Sequence, residues 1–316
     1  MAAPASSESY QQPVVFFGTD EFSAIGLEKL ISLTKTKKNI KVVAIITKPD
    51  AKKGRGKILE PPVTKVIGQK NEIPVYQPAT KDDLLNTALD ITNNLETAPL
   101  GVLISYGKIV PQAVIDLFKP GIINLHPSLL PLYRGPSPVE TAIANGDAKT
   151  GVSIMQLSAK MDAGPVYIQK EVELTGQETG PSLLKDLGEI GANLIATNID
   201  DIINGNISPI AQQEGLSTYC HLLSKDQSIV DPAELTAQQI DNHVRAFIDF
   251  PKTKLSIEGY LVVIKSVQVI ANDSEIKKSD LIIDCAVNTK LKITQLISPN
   301  GKQVSGDSFK NGYLKV

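Results

Sequence analysis

Short apolar runs alternate with stretches of helical periodicity over the first half of the chain. The runs cover residues 14–17, 41–47, 100–104 and 121–125. They have the length and the continuous apolar composition of strands that are buried on both faces. Residues 22–33, which follow the first run, repeat apolar side chains at helical spacing. Strands that alternate with helices predict an α/β fold with a Rossmann-like, doubly wound, mostly parallel sheet.

The pattern changes after residue 150. Residues 151–157 and 166–174 predict a pair of strands, and apolar positions from 183 to 194 predict an amphipathic helix. Asn204 and Gly205 are typical residues for the end of that helix. The chain is then polar and irregular as far as residue 230, which favours a linker.

The last third of the chain begins with a helix signal and continues with short apolar runs. Thr236 and Gln239 resemble a capping box, which marks the start of a helix. The runs that follow cover residues 253–257, 260–270, 281–287 and 290–297. Several short strands in succession predict a small, OB-like β-barrel.

These patterns divide the 316 residues into four segments, and a chain of this length favours two domains. We predict a flexible N-terminal extension over residues 1–12 and an α/β domain over 13–206. A linker over 207–230 would then lead to a smaller C-terminal barrel-like domain over 231–316.

The amino-acid composition bears on membrane association, cellular compartment and metal binding. No apolar run approaches the length of about 18 residues that a membrane-spanning helix needs, so no membrane span is predicted. Cys220 and Cys285 lie far apart in the sequence and have no metal-binding spacing, which fits a reducing cytoplasm. Because the chain has only three histidines, a multi-histidine metal site is not expected. We predict a cytoplasmic protein whose chemistry needs no metal.

One segment is strongly basic although the whole chain has a net charge of -2. Residues 35–57 contain nine Lys or Arg and one Asp, a local balance of 9 − 1 = +8. Most charge runs are solvated surfaces. A basic segment that also contains glycines is a candidate for nucleic-acid binding, because glycine lets the backbone approach phosphates closely.

The stretch 124–135, Asn-Leu-His-Pro-Ser-Leu-Leu-Pro-Leu-Tyr-Arg-Gly, is the main candidate for an active site. Asn124 and His126 are two residues apart on a predicted strand, so both point to the same side of the sheet. Ligands of open α/β sheets bind at the carboxyl ends of the strands. The alternative is that the two residues cap the strand. Dinucleotide and Walker-type phosphate motifs are absent, because Gly18-Thr19-Asp20 lacks the required glycine spacing.

Several segments together resemble the folate-dependent formyltransferases, in the order in which that family has them. The segments are Phe17-Gly18-Thr19, residues 105–111 (Ser-Tyr-Gly-Lys-Ile-Val-Pro), residues 124–135, residues 151–155 (Gly-Val-Ser-Ile-Met) and residues 161–164 (Met-Asp-Ala-Gly). The resemblance extends from about residue 13 to the end of the chain and is weakest in the last strands. Where the family often has proline after Gly-Thr, this chain has Asp20.

The resemblance implies a catalytic set and a formyl donor. Asn124, His126 and Asp162 match the family's catalytic residues, and 10-formyltetrahydrofolate would be the donor. An amine would attack the formyl carbon, and Asn124 and His126 would stabilise the oxyanion. Asp162 would orient His126 and help to move the proton. The folate contacts implied by the resemblance are Ser128, Leu129, Leu130, Pro131, Tyr106, Gly107 and Ile109.

The basic segment resembles the loop that tRNA-acting members of the family insert into the acceptor stem. Arg55, between two glycines, and Lys52, Lys53 and Lys57 are the implied tRNA contacts. The expected activity is formylation of the amino group of methionyl-initiator tRNA for translation initiation, by a monomer that needs no protein partner. Two alternatives stay open: a glycinamide ribonucleotide or amino-sugar acceptor, and a non-enzymatic nucleotide- or RNA-binding module.

Overall fold

The structure is a computed structural model that describes residues 11–37, 39–53, 58–271 and 275–314; for Lys37 and Lys53 it describes the backbone only. Most of the predicted N-terminal extension therefore lies outside the described residues. The strands are β1 (Gln12–Gly18), β2 (Ile40–Ile46), β3 (Ala51–Lys53), β4 (Ile58–Glu60), β5 (Val75–Tyr76), β6 (Leu100–Ile104), β7 (Ile122–His126), β8 (Lys149–Gln156), β9 (Val166–Glu173), β10 (Lys254–Ile257), β11 (Tyr260–Ile270), β12 (Ile282–Cys285), β13 (Thr289–Ile297) and β14 (Gln303–Ser305). The helices are α1 (Glu21–Lys37), α2 (Val63–Lys70), α3 (Lys81–Asn93), α4 (Gln112–Ile115), α5 (Pro138–Asn145), α6 (Gly180–Ile203), α7 (Ala237–Ala246) and α8 (Gly306–Tyr313).

The central sheet has the predicted Rossmann-like organisation. In the described part of the chain it contains seven strands in the order β5-β2-β1-β6-β7-β8-β9. The pairs from β5 to β7 are parallel, and β8 runs antiparallel to β7. Val15, Phe17, Leu103 and Ile122 form part of one buried cluster between sheet and helices. This burial explains why the strands are continuous apolar runs in the sequence.

The pairing of β7 with β8 fixes the edge of the sheet where the candidate residues lie. Asn124 is opposite Met155, and His126 is opposite Ser153. All five residues of β7 are buried. The strand ends at His126, and Pro127 follows it immediately, so the polar pair occupies the carboxyl end of a rigid strand.

The last third of the chain forms an antiparallel, curled sheet, a half-barrel, as predicted. Within the described residues its strands follow the order β10-β11-β13-β12, and β14 pairs with β13. The capping box before α7 is confirmed: Gln239 N donates to Thr236 Oγ1, and Thr236 N donates to Gln239 Oε1. Helix α8 was not predicted. It begins at Gly306, directly after the cap residue Ser305, and it buries Phe309 completely.

Long-range contacts divide the chain into two compact units. The first contains Met1–Arg134, Gly151–Glu171 and Lys185–Thr218, and the second contains Gly135–Thr150, Val172–Leu184 and Tyr219–Val316. The predicted domain boundaries at 206 and 230 follow composition and stay a prediction. Of the helices that the structure describes, none combines the length and the apolar character required to cross a membrane.

Candidate active site

The carboxyl end of β7 presents two polar side chains to the same side. Asn124 is 6% exposed and His126 is 5% exposed. Among the residues that the structure describes, the Asn124 side chain has no hydrogen-bond partner, although its backbone is part of the sheet. Its amide N–H groups are therefore available to a ligand.

The two ring nitrogens of His126 face different groups. Nε2 lies 3.0 Å from the carbonyl oxygen of Tyr133. Because a carbonyl only accepts hydrogen bonds, Nε2 carries a proton and donates it. Nδ1 lies 3.8 Å from Oδ2 of Asp162. This separation is too long for a hydrogen bond, so the carboxylate faces Nδ1 without bonding to it directly.

Asp162 lies on the segment 157–165, called here the Asp162 loop, which leaves β8 and turns back towards β9. Gln156 N donates to Pro165 O at 2.8 Å and closes the base of the loop. A Cβ atom at Gly164 would collide with the carbonyl oxygen of Gln156, so this position requires glycine. Asp162 has a φ of 46°, in the left-handed region that aspartate tolerates better than most residues.

The predicted folate segment 128–131 is held in place by polar groups beneath it. Ser128 Oγ donates to Leu132 O at 2.6 Å, and the Leu130–Pro131 peptide bond is cis. Ser153 Oγ accepts from Leu130 N, and Gln169 Nε2 donates to Leu130 O at 2.8 Å. Leu130 is buried, whereas its neighbours on both sides, Leu129 and Pro131, are half-buried.

The other predicted folate residues have different environments. Tyr106 is buried in the sheet core, where its ring packs edge-on against Phe17 and burial raises the pKa of its phenol to about 12. Gly107 is exposed with a φ of 70°, and a Cβ atom there would collide with the Lys48 ammonium group. Ile109 is exposed. Whether these three residues contact folate stays a prediction.

Two of the predicted tRNA contacts, Lys52 and Lys53, lie on a two-stranded hairpin. Strands β3 and β4 are antiparallel, with Lys52 opposite Leu59 and Lys53 opposite Ile58. Lys52 is exposed. The side chain of Lys53, and all of Arg55 and Lys57, lie outside the described residues. In sequence, residues 54–57 connect the two hairpin strands.

A cleft of about 300 Å³ borders the Asp162 loop. Its lining contains Gln112, Ile115, Phe118, Gln156, Leu157 and Ser158. These residues were not predicted from the sequence. They precede β7, or they lie at the end of β8 and in the loop that follows it, and the lining of the cleft does not include Asn124, His126 or Asp162. A larger cavity of about 560 Å³ lies wholly in the second unit and shares no lining residue with this cleft.

Among the described residues, no cluster of three His, Cys, Asp or Glu side chains could hold a metal ion.

Two family models together match most of the chain. The first, described as formyl transferase, matches residues 12–199. The second, described as formyl transferase, C-terminal domain, matches residues 222–314. The site residues on β7 and on the Asp162 loop fall within the first match.

Proteins of known name and structure are similar over nearly the whole length. The chain is 34% identical to a methionyl-tRNA formyltransferase of Stutzerimonas stutzeri and 33% identical to one of Bacillus cytotoxicus. The first alignment covers 94% of both chains and the second 95% of both.

Two solved structures share the fold at lower identity. An N-formyltransferase from Helicobacter canadensis, in complex with folinic acid and dTDP-3-aminofucose, has a TM-score of 0.65 at 20% identity and covers 90% of this chain and 98% of that one. HypX from Aquifex aeolicus, in complex with tetrahydrofolic acid, has a TM-score of 0.60 at 16% identity over 97% of this chain and 48% of that one. From the two domain matches and the relatives aligned along almost its full length, we conclude that this chain belongs to the formyl transferase family.

Proposed function

We propose that the protein transfers the formyl group of 10-formyltetrahydrofolate to the amino group of methionyl-initiator tRNA, for translation initiation. The observation that carries this proposal is the approach of His126 and Asp162 at the carboxyl end of β7, in a chain whose relatives are methionyl-tRNA formyltransferases along 94% of its length. Those names support the tRNA acceptor, and the folate complexes of the structural neighbours support a folate donor.

The first step is attack of a neutral amine on the formyl carbon. An α-amino group has a pKa of about 7.7–8.0, so a useful fraction is unprotonated near pH 7 without activation. The carbonyl oxygen becomes an oxyanion as the new C–N bond forms. Asn124, with its unengaged amide, and the Nδ1–H of His126 donate hydrogen bonds to that oxygen. The 3.8 Å gap between Nδ1 and Asp162 leaves room for this contact.

The second step breaks the bond between the formyl carbon and N10 of the folate. The amine must lose one proton and N10 must gain one. Asp162 accepts the proton from the attacking nitrogen, directly or through water, and the proton reaches N10 as the tetrahedral intermediate collapses. Asp162 also stabilises the positive charge on His126 while the oxyanion exists.

We place the folate between the Asp162 loop and segment 128–131. Segment 128–131 offers the apolar side chains of Leu129 and Pro131, and the loop offers the carboxylate of Asp162. Apolar walls with a few polar groups suit a flat heteroaromatic ring. Leu129 and Pro131 are half-buried and would contact the donor near the formyl group.

The tRNA contacts are proposed for two regions. The exposed Lys52 on the β3–β4 hairpin, together with Lys53, Arg55 and Lys57, would contact the acceptor stem. The C-terminal domain, residues 231–316, would add contact surface, while residues 13–206 would carry the catalysis. Phosphate contacts by lysines make such binding depend on salt.

The identity of the preferred formyl acceptor distinguishes this function from its alternatives. Formylation rates should be compared for charged initiator tRNA, charged elongator tRNA, glycinamide ribonucleotide and an amino sugar nucleotide, with one folate donor. The proposal predicts that charged initiator tRNA is preferred by a wide margin. A small amine that is formylated at least as fast as the charged tRNA would make the protein a small-molecule formyltransferase. No transfer to any amine would favour a binding module.

A further inference from the structure

A buried arginine and a glutamine connect the two segments that face His126. Arg134 is completely buried and follows Tyr133, whose carbonyl oxygen binds His126. The Arg134 Nε and Nη2 atoms donate to Oε1 of Gln212 at 3.1 and 2.9 Å. Nε2 of Gln212 donates to the carbonyl oxygens of Asp162 and Gly164 at 2.8 and 2.7 Å. All of these residues belong to the first unit.

The arginine determines which way the Gln212 amide faces. A guanidinium group has only donors, so the oxygen of Gln212 must face Arg134. The amide nitrogen must then face the Asp162 loop, where two carbonyl oxygens need donors. Both the oxygen and the nitrogen of the Gln212 amide are therefore hydrogen-bonded, and only one orientation of the amide satisfies all of these bonds.

Glu214, two residues after Gln212, also connects Arg134 to the Asp162 loop. Glu214 pairs with Nη1 of Arg134 at 2.9 Å and with the Lys160 ammonium group, on the Asp162 loop, at 2.7 Å. Two hydrogen bonds lower the pKa of Glu214 below its usual value: the one from Lys160 has the larger effect, and the one from Arg134 the smaller. The charge of the buried guanidinium is therefore compensated by groups that also hold the loop.

We propose that Gln212 is a positioning residue that fixes Asp162 relative to His126, with the buried Arg134 as its anchor. This inference rests on the proposed catalytic role of Asp162. Gln212 acts through the loop backbone: it sets the position of the Asp162 main chain, and that position sets the approach of the carboxylate to His126. A displacement of about 1 Å in a catalytic group is enough to reduce turnover about 100-fold.

Gln212→Glu separates the two functions of the amide. Glutamate still pairs with Arg134, but it has no N–H to offer the carbonyl oxygens of Asp162 and Gly164. We expect kcat for formyl transfer to fall about 10- to 100-fold, with KM for folate and for tRNA changed less than threefold. Gln212→Met, which is uncharged and of similar length, should give a loss of the same order. The matched control is Gln12→Glu. Gln12 lies at the amino end of β1, and its amide N–H also donates to a backbone carbonyl, that of Ala98.

The decisive comparison adds Asp162→Ala to each variant. If Gln212 acts through Asp162, Gln212→Glu lowers kcat in the wild-type background and causes no further loss when Asp162 is alanine. An independent, additive loss in the double variant would overturn the positioning role, as would wild-type kcat in folded Gln212→Glu and Gln212→Met. Those outcomes leave the proposed function intact. A wild-type enzyme without formyl transfer would instead contradict the proposed function itself.

Discussion

The Nδ1 atom of His126 lies 3.8 Å from Oδ2 of Asp162, although 36 positions separate the two residues in the sequence. The other ring nitrogen is held by the carbonyl oxygen of Tyr133 at 3.0 Å. The ring therefore has one side held by a backbone carbonyl and one side that faces a carboxylate. The proposed oxyanion-stabilising role needs this arrangement, because Nε2 is occupied and Nδ1 is left to donate to the oxyanion.

Replacement of Asn124 tests the second oxyanion donor. Asn124→Ala removes a buried amide that has no hydrogen-bond partner among the described residues, so the fold loses no side-chain hydrogen bond and the intermediate loses one. We expect kcat to fall about 100- to 1000-fold with an unchanged melting temperature. The control is Asn94→Ala, at the exposed end of α3. A kcat within threefold of wild type in Asn124→Ala would remove this residue from the mechanism.

Arg55 should differ from its lysine neighbours. Arg55→Lys keeps the charge but loses the planar group that stacks and forms paired hydrogen bonds, whereas Lys53→Ala removes one point charge. We expect Arg55→Lys to impair formylation of charged initiator tRNA far more than Lys53→Ala does, at one fixed salt concentration. Lys53→Ala should flatten the salt dependence of binding. Equal, small losses in both variants would reduce the segment to a general basic patch.

The sequence predicted those strands whose apolar runs are complete in themselves. Strands β1 and β6 are buried on both faces, and each contains a continuous apolar run; in β7, which is also buried, the polar residues Asn124 and His126 follow the apolar pair Ile122 and Ile123. Helix α8 was missed because its stability depends on distant partners: Phe309 is buried in a cluster with Leu291 and Ile293 of β13. Local pattern has no access to such contacts.

The site was predictable only in part. Asn124 and His126 are two residues apart on one strand, so their common direction follows from strand geometry. The approach of Asp162 depends on the antiparallel return of β8 and on the loop after it, and only the family resemblance pointed to this residue. Gln212 lies in a segment whose composition indicated a linker. Its role depends on a buried arginine 78 positions away, which no local signal reveals.

Titration of His243 should make stability depend on pH. Burial lowers the pKa of His243 to about 4, although a backbone hydrogen bond involving Gln227 partly opposes this; the ring packs against Phe247. Between pH 6.5 and pH 4 the unfolded chain then binds more protons at this position than the folded chain. The free energy of unfolding should fall as the pH is lowered through that window, by about 1–3 kcal/mol from this group.

The measurement for this prediction is urea denaturation at pH 7, 5.5 and 4. His243→Gln has no titrating group at this position, so its unfolding free energy should change less with pH than that of the wild type. Parallel curves for wild type and variant would contradict a half-buried, neutral His243.

The most direct test of the account is single-turnover formylation of charged initiator tRNA by wild-type protein and by Asp162→Ala, with folding verified by circular dichroism and melting temperature. The account predicts that the wild type transfers the formyl group to the methionyl amino group. It also predicts that Asp162→Ala binds donor and acceptor with unchanged affinity but transfers at least about 100-fold more slowly. A folded Asp162→Ala protein that transfers at the wild-type rate would contradict the proposed mechanism.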